Sequence, residues 1–308
     1  MLGSNVSTVG GFPTAFLVAD EWGCECIQIY LTLSRRWGIT KLPQEIITEF
    51  KNYWQDSLVQ EVVSHIPFLV NLASPDKELW KRSVKRVCIE LNRAEKLGVS
   101  FVVIHLGSSC DTSRSRGVSR VIKALNIIFQ KVKSFSGYLL IETMAGQGNM
   151  IGSSFNEIAD ILNRVDNSEK MGVCFDTAHV FQSGYDLRGY VGYRRVMQQF
   201  DKIIGVDRIK TIHLNDSKSN FSSQLDRHAA IGKGRIGMQM FHAIMNDQRF
   251  FNIPKIIEVP KRDTESEDSL KLLRDLQHTS ESIKEEKRYL GQTTLEDVVI
   301  WKKRKKSC

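Results

Sequence analysis

Several things are missing from this 308-residue chain, and each absence narrows the reading. No apolar run reaches the roughly 18 residues of a membrane span. The N-terminus, Met1-Leu-Gly-Ser-Asn-Val-Ser, lacks the charged and apolar regions of a signal peptide. An intracellular protein is therefore expected, cytoplasmic or, in a eukaryotic host, nuclear. Cys24, Cys26, Cys88, Cys110, Cys174 and Cys308 form no C-x-x-C pair and no even framework. They read as ordinary reduced thiols, with Cys174 inside a strand. Cys24 and Cys26 flank a single residue, a poor geometry for a bridge between them. No G-x-G-x-x-G turn follows the first apolar run, which argues against a dinucleotide-binding fold. There is no internal repeat and no linker.

What is present is ordinary for a soluble globular protein: 42% hydrophobic and 25% charged residues. The formal charge is +8, of which the stretch Lys302 to Lys306 supplies five, leaving +3 elsewhere. The body is thus only mildly basic. An acidic partner would be gripped by local patches and by this arm. A solubilising end is the equally simple reading of such a tail.

Short β-rich runs alternate with longer helical patterns. The apolar runs are Leu2 to Val6, Cys24 to Leu31, Val62 to Phe68, Phe101 to Leu106, Tyr138 to Met144, Met171 to Phe175, Ile209 to Leu214 and Lys255 to Val259. They are nearly continuous in apolar residues, as parallel strands buried on both faces must be. Between them, residues 83–97 carry Val84, Val87, Cys88, Leu91 and Ala94 on one stripe. Residues 119–135 do the same with Val121, Ile122, Leu125, Ile128 and Val132. Residues 155–165, 192–200, 238–245 and 268–277 follow the helical pattern too. Eight strands separated by helices predict an α/β fold, a (β/α)8 TIM barrel. The barrel is expected over 1–285, with a basic C-terminal tail over 286–308.

In such a barrel functional residues gather at the C-terminal ends of the strands. The third run carries His65, the fourth His105, the fifth Glu142, and the sixth Asp176 with His179 just beyond. The seventh carries His213, its loop adds Asp226 and His228, and the eighth carries Glu258. Each has a bland alternative: a lone histidine is usually a satisfied loop residue, and an aspartate before a helix is usually its cap. Their concentration changes the balance. Five of the seven histidines fall at these positions, and only His242 and His278 sit on helical patterns. Asp226 and His228 are two apart, so in an extended segment they face the same way. Imidazoles and carboxylates without thiolates suit zinc or manganese. There are more of them than one or two four-coordinate ions need. Several close metals are a device of phosphoester hydrolysis.

Three segments carry a specific likeness: Glu142-Thr-Met-Ala-Gly-Gln-Gly, Phe175-Asp-Thr-Ala-His-Val-Phe with Gly184-Tyr-Asp-Leu-Arg188, and His213-Leu-Asn-Asp-Ser-Lys-Ser through Asp226-Arg-His228 to Gly232-Lys-Gly234. With these, the chain from Leu2 to about Pro260 resembles the endonuclease IV family of apurinic/apyrimidinic (AP) endonucleases. The resemblance implies three Zn2+ ions, with Mn2+ an alternative at one site. By that likeness His65, His105 and Glu142 hold the first. Glu142, Asp176, His213 and Glu258 hold the second, Glu142 bridging. His179, Asp226 and His228 hold the third. Catalysis is expected to depend above all on Glu142 and Glu258.

In that family the phosphodiester 5′ to an abasic deoxyribose is hydrolysed, leaving a 3′-hydroxyl and a 5′-deoxyribose phosphate. Blocked 3′ ends are also substrates. The implied partner is double-stranded DNA containing abasic sites, with no membrane, and a monomer is expected. Arg35 lies where the family inserts an arginine into the base stack, and Phe68 where many members place a tyrosine. Arg227 and Lys233 lie where phosphate contacts are expected. The chain departs from the pattern at Ala178 and Ser183, at Leu106 after His105 and at Val259 after Glu258, none of them a ligand position.

Two other classes compete. A metal-dependent sugar isomerase or epimerase uses the same barrel and the same residue types, but with one or two metals. A DNA-binding repair accessory without catalysis would have lost ligands, and here every ligand position is filled. For the tail, deletion of residues 302–306 is expected to flatten the salt dependence of DNA binding. An unchanged slope in salt-titrated binding would remove the DNA-arm reading.

Overall fold

Apolar runs become parallel strands only if both faces are covered, and here a ring of helices and a filled interior cover them. The computed structural model describes residues 1–32, 36–259 and 263–277. The barrel strands are β1 (Leu2–Asn5), β2 (Cys26–Ile29), β3 (Glu61–His65), β4 (Phe101–Ile104), β5 (Tyr138–Glu142), β6 (Met171–Asp176), β7 (Ile209–His213) and β10 (Lys255–Ile257). They close in the order β1-β10-β7-β6-β5-β4-β3-β2, and every pairing is parallel. β8 (Asp216–Ser217) and β9 (His228–Ala229) form a separate antiparallel pair above the barrel. This is the (β/α)8 TIM barrel expected from the alternating pattern.

The helices are α1 (Phe12–Glu21), α2 (Gln44–Asp56), α3 (Lys77–Leu97), α4 (Arg114–Lys131), α5 (Phe155–Arg164), α6 (Thr177–Gln182), α7 (Gly189–Ile203), α8 (Met238–Met245) and α9 (Asp263–Asp275). α3 begins six residues before its apolar stripe does. Asp76 Oδ1 caps it, accepting from Glu78 N at 2.8 Å and Leu79 N at 3.1 Å. α1, α2 and α6 are not foretold by the apolar pattern. α1 has Leu17 and Val18 beside its buried Phe16 and Ala19, so no clean stripe appears. α2 buries only Ile47 and Phe50, and α6 is six residues long and buried all round. No helix among the described residues is long and apolar enough to cross a membrane.

The inward face of the barrel is layered by the two-residue period of a strand. Val63, Val103, Leu140 and Cys174 form an apolar cluster of their own inside the barrel. Phe101 and Tyr138 pack against it from the N-terminal end. Two residues on from the cluster, toward the C-terminal end, stand His65, His105, Glu142 and Asp176. The apolar plug is thus the floor on which the polar layer rests. Cys24, Cys26, Cys88, Cys110 and Cys174 are free thiols, and burial pushes Cys174 up to about 12. Arg35, the segment 302–306 and the 285/286 boundary lie outside the described residues.

β1 and β2 approach so closely that a side chain on Gly3 has no room. A Cβ there would lie 1.5 Å from the carbonyl oxygen of Cys26. Gly3→Ala is therefore expected to destabilise the barrel by about 3 kcal/mol or more. Denaturant unfolding of the variant checks this; a midpoint within error of wild type would refute the tight closure.

Candidate metal centre at the barrel mouth

The polar layer meets at Glu142, the last residue of β5, which is 1% exposed. Its Oε2 lies 3.0 Å from His65 Nε2 and 2.8 Å from His105 Nε2. Its Oε1 lies 3.1 Å from His213 Nδ1 and 3.2 Å from His179 Nδ1. Neighbouring strands in register bring these ends together, since Glu142 pairs with Cys174 and Asp176 with His213.

Three groups of ligand atoms result, each with its atoms within 4.8 Å of one another: His65, His105 and Glu142; Glu142, Asp176, His213 and Glu258; and Asp176, His179 and His228. Asp226 also faces the last group. Its Oδ1 lies 3.2 Å from His179 Nε2 and 3.4 Å from His228 Nε2, closer than Asp176 Oδ2 at 3.6 Å from His179 Nδ1 and 3.8 Å from His228 Nε2. Ligands placed tetrahedrally at about 2.0–2.1 Å from an ion stand roughly 3.3 Å apart. The observed separations therefore suit a cation in each group.

The far nitrogen of several imidazoles has an acceptor of its own. His65 Nδ1 donates to Ile66 O at 2.8 Å, and His179 Nδ1 to Thr143 O at 2.9 Å. His228 Nδ1 donates to Glu258 O at 3.3 Å. His213 uses Nε2, donating to Gln28 Oε1 at 2.7 Å. Such partners select the tautomer whose remaining nitrogen is a free lone pair, as metal-binding histidines require. Gln28 then donates its Nε2 to Glu258 Oε1 at 2.8 Å. Asn215 Nδ2 donates to Asp176 Oδ2 at 2.7 Å and to Glu258 Oε2 at 3.2 Å, and its Oδ1 accepts from Glu258 N at 2.7 Å. The sequence pattern does not single out Gln28 and Asn215. A signal exists: each is a fully buried amide beside apolar residues, Gln28 between Ile27 and Ile29, Asn215 after Leu214.

Asp176 does two jobs. Oδ1 caps α6, accepting from His179 N at 2.8 Å, while Oδ2 faces the centre. The cap reading of this residue is met by one oxygen, and the other is left facing the cluster. Burial opposes charge throughout, yet His105 and His213 hold Glu142 well below the usual carboxylate range. Burial is likewise outweighed at His105, where Glu142 raises the imidazole, and at His179, raised by Asp176 and Asp226. Against burial, the bond to His179 brings Asp226 down to about 2. At Asp176 burial wins, and its carboxyl is raised.

Of the surface positions expected to meet DNA, Phe68 is 54% exposed. Arg227 is exposed, with Nη1 donating to Asp226 O at 2.8 Å. Lys233 is exposed on the same loop.

That loop hangs on Asp216. Its Oδ2 accepts from Gly232 N at 3.1 Å and Gly234 N at 2.8 Å. Its Oδ1 accepts from Ser217 N at 2.8 Å and Ile236 N at 3.2 Å. Gly234 must lack a side chain, because a Cβ would lie 2.3 Å from Asp216 Oδ1. The loop is also sewn to α6: Gln224 N donates to Gln182 O at 3.0 Å, and Gln182 Nε2 to Arg227 O at 3.0 Å.

Comparison with known proteins agrees with this architecture. The family described as "Xylose isomerase-like TIM barrel" matches residues 16–276. A protein named "Probable endonuclease 4" from Geobacter sulfurreducens is 37% identical over 272 residues, 88% of this chain and 92% of that one. Its namesake from Halothermothrix orenii is 40% identical over 260 residues, 84% and 93% of the two chains. Among solved structures, endonuclease IV from Thermus thermophilus superposes with a TM-score of 0.79 at 29% identity, covering 89% of this chain and 98% of that one. A D-tagatose 3-epimerase-like protein, with a TM-score of 0.69 at 18% identity and covering 89% and 96% of the two chains, shares the fold alone.

Asp216→Ala is expected to cost about 3 kcal/mol, since it strands buried amide donors of a charge-assisted cluster. Hydrogen exchange should speed up at the amides of Gly232, Gly234 and Ile236 before anywhere in the barrel. Uniform exchange across the chain would contradict this local role.

Proposed function

The chain belongs to the endonuclease IV family, and on that premise we propose that it is a zinc-dependent AP endonuclease of base excision DNA repair. It hydrolyses the phosphodiester 5′ to an abasic site and leaves a 3′-hydroxyl and a 5′-deoxyribose phosphate. The observation that carries the metal part is the convergence of imidazole and carboxylate atoms at 2.8–3.4 Å around Glu142, His179 and His228. The acceptors that fix the imidazole tautomers support it further.

His65, His105 and Glu142 would hold one ion, and Glu142, Asp176, His213 and Glu258 the second. His179, Asp226 and His228 would hold the third. Bound zinc supplies hydroxide at neutral pH and Lewis-acid stabilisation of phosphate oxygens. The protein's part is positioning. Glu142 offers one oxygen to each of the first two groups and so sets their separation. Gln28 and Asn215 hold Glu258 from both sides, keeping its carboxylate turned to His213. Asp226 and His228, carried on the loop hung from Asp216, put the third group beside the other two, where an ion would stabilise the leaving 3′-oxygen. Phe68, Arg227 and Lys233 are exposed at the mouth, where an abasic gap and its flanking phosphates would lie. Trimming of blocked 3′ ends fits the same chemistry, since it too cleaves a phosphate ester at a 3′-oxygen. The enzyme is proposed to act as a monomer.

A duplex with one abasic site distinguishes this reading from sugar isomerisation. Incision is expected with about three zinc ions bound per chain, to vanish on chelation and to return with added Zn2+. Glu142→Ala should lower kcat by at least about a thousandfold while largely sparing DNA affinity. Elemental analysis finding one or two metals per chain together with sugar turnover would overturn the proposal, as would normal incision by Glu142→Ala.

A further inference from the structure

Outside the candidate metal centre, α3 carries a buried pair of opposite charges. Arg86 and Glu90 are each 2% exposed, with Arg86 Nη1 3.3 Å from Glu90 Oε1. Burial pushes Glu90 up despite Arg86 and Thr32, and pushes Arg93, two turns on from Arg86, down. A pair of this kind is often no more stabilising than apolar residues of the same volume. Its other partners suggest what it is for. They are not on the neighbouring helices but on Thr32 and residues 36–40, between β2 and α2.

Arg86 Nη1 donates to Thr32 Oγ1 at 2.7 Å, and Thr32 Oγ1 donates in turn to Glu90 Oε1 at 2.5 Å. Arg86 Nη2 donates to Arg36 O at 2.9 Å and Gly38 O at 3.4 Å. Arg93 Nη1 donates to Thr40 O at 2.8 Å. One guanidinium therefore holds Thr32, Arg36 and Gly38 together. Trp37 lies over it, with the Arg86 guanidinium 5.8 Å and that of Arg82 4.3 Å from the ring centre. The chain leaves β2 beside the metal centre: the ring of Tyr30 is 5.6 Å from that of His65. Arg36 and Arg82 are exposed. In a barrel of this type the helix start lies at the mouth end, so the half of α3 that carries Arg82 and Arg86 stands at the rim.

We propose that Arg86, Glu90 and Thr32 are positioning residues that lock residues 36–40 against α3 at the rim, so that Arg36, Trp37 and Arg82 meet the backbone of the duplex flanking the abasic site. The DNA role rests on the function proposed above; the locking does not. A rigid rim lowers the ordering cost of binding without touching the reacting atoms. Its loss should raise KM and leave kcat alone.

Arg86→Lys keeps the charge beside Glu90 but cannot reach Thr32, Arg36 and Gly38 together. Thr32→Val removes only the bridging hydroxyl and serves if Arg86→Lys fails to fold. Three readouts are compared with wild type: tryptic cleavage of the Arg36–Trp37 bond, kcat and KM on an abasic duplex, and metal content. Cleavage about tenfold faster and KM about tenfold higher are expected, with kcat and metal content unchanged. Unchanged cleavage overturns the lock. Faster cleavage with unchanged KM overturns its role in DNA binding, and kcat falling together with metal content makes the pair merely structural. Wild-type protein that does not incise abasic DNA overturns the functional reading and the DNA role with it. The tryptic comparison would then still decide whether the pair holds the segment.

Discussion

One buried carboxylate organises the mouth of this barrel. Glu142 lies within 3.2 Å of His65, His105, His179 and His213, drawn from β3, the end of β4, α6 and β7. A carboxylate taken out of water costs several kcal/mol unless such partners surround it. The reverse also holds: those imidazoles are buried against one another and need the carboxylate. The rest of the design follows from holding this cluster still. A parallel barrel does so because neighbouring strands end at the same height, and the buried apolar layer of Val63, Val103, Leu140 and Cys174 lies directly beneath.

The amides come next. Gln28 and Asn215 each have one donor and one acceptor end, and each end is used. Gln28 accepts from His213 and donates to Glu258. Asn215 donates to Asp176 and Glu258 and accepts from the Glu258 backbone. No charged residue could serve both sides of such a contact. Neutral amides link β2, β7 and the end of β10 across the mouth without adding charge to a centre already crowded with it.

The alternation of apolar runs with helical stripes was enough to read the barrel, because strands buried on both faces leave a continuous apolar signature. The clustering of His65, His105, Glu142, Asp176, His213 and Glu258 was legible for a related reason: they all sit at one end of those runs. What escaped was whatever leaves no periodic trace. α6 is too short and too buried to show a stripe. Gln28 and Asn215 act through the orientation of an amide, which spacing cannot express. The Arg86–Glu90 pair has the i, i+4 spacing of any helical couple, and its burial and its hold on Thr32, Arg36 and Gly38 arise only from tertiary packing. Asp176 was ambiguous between cap and site residue because one of its oxygens caps α6 while the other faces the cluster.

The loop suspended from Asp216 is joined to α6 and meets the end of the barrel wall where His228 Nδ1 donates to Glu258 O. His179 comes from that short helix, and Asp226 and His228 from that loop. The other two ligand groups come from the ends of barrel strands and are complete as soon as the wall closes. Most of the third group is thus carried outside the wall, on a segment of chain set over the cylinder and held by Asp216 and by bonds to α6, while Asp176 faces it from the end of β6. A lineage built on this barrel could acquire, reshape or discard that segment while its wall and its first two groups stayed intact.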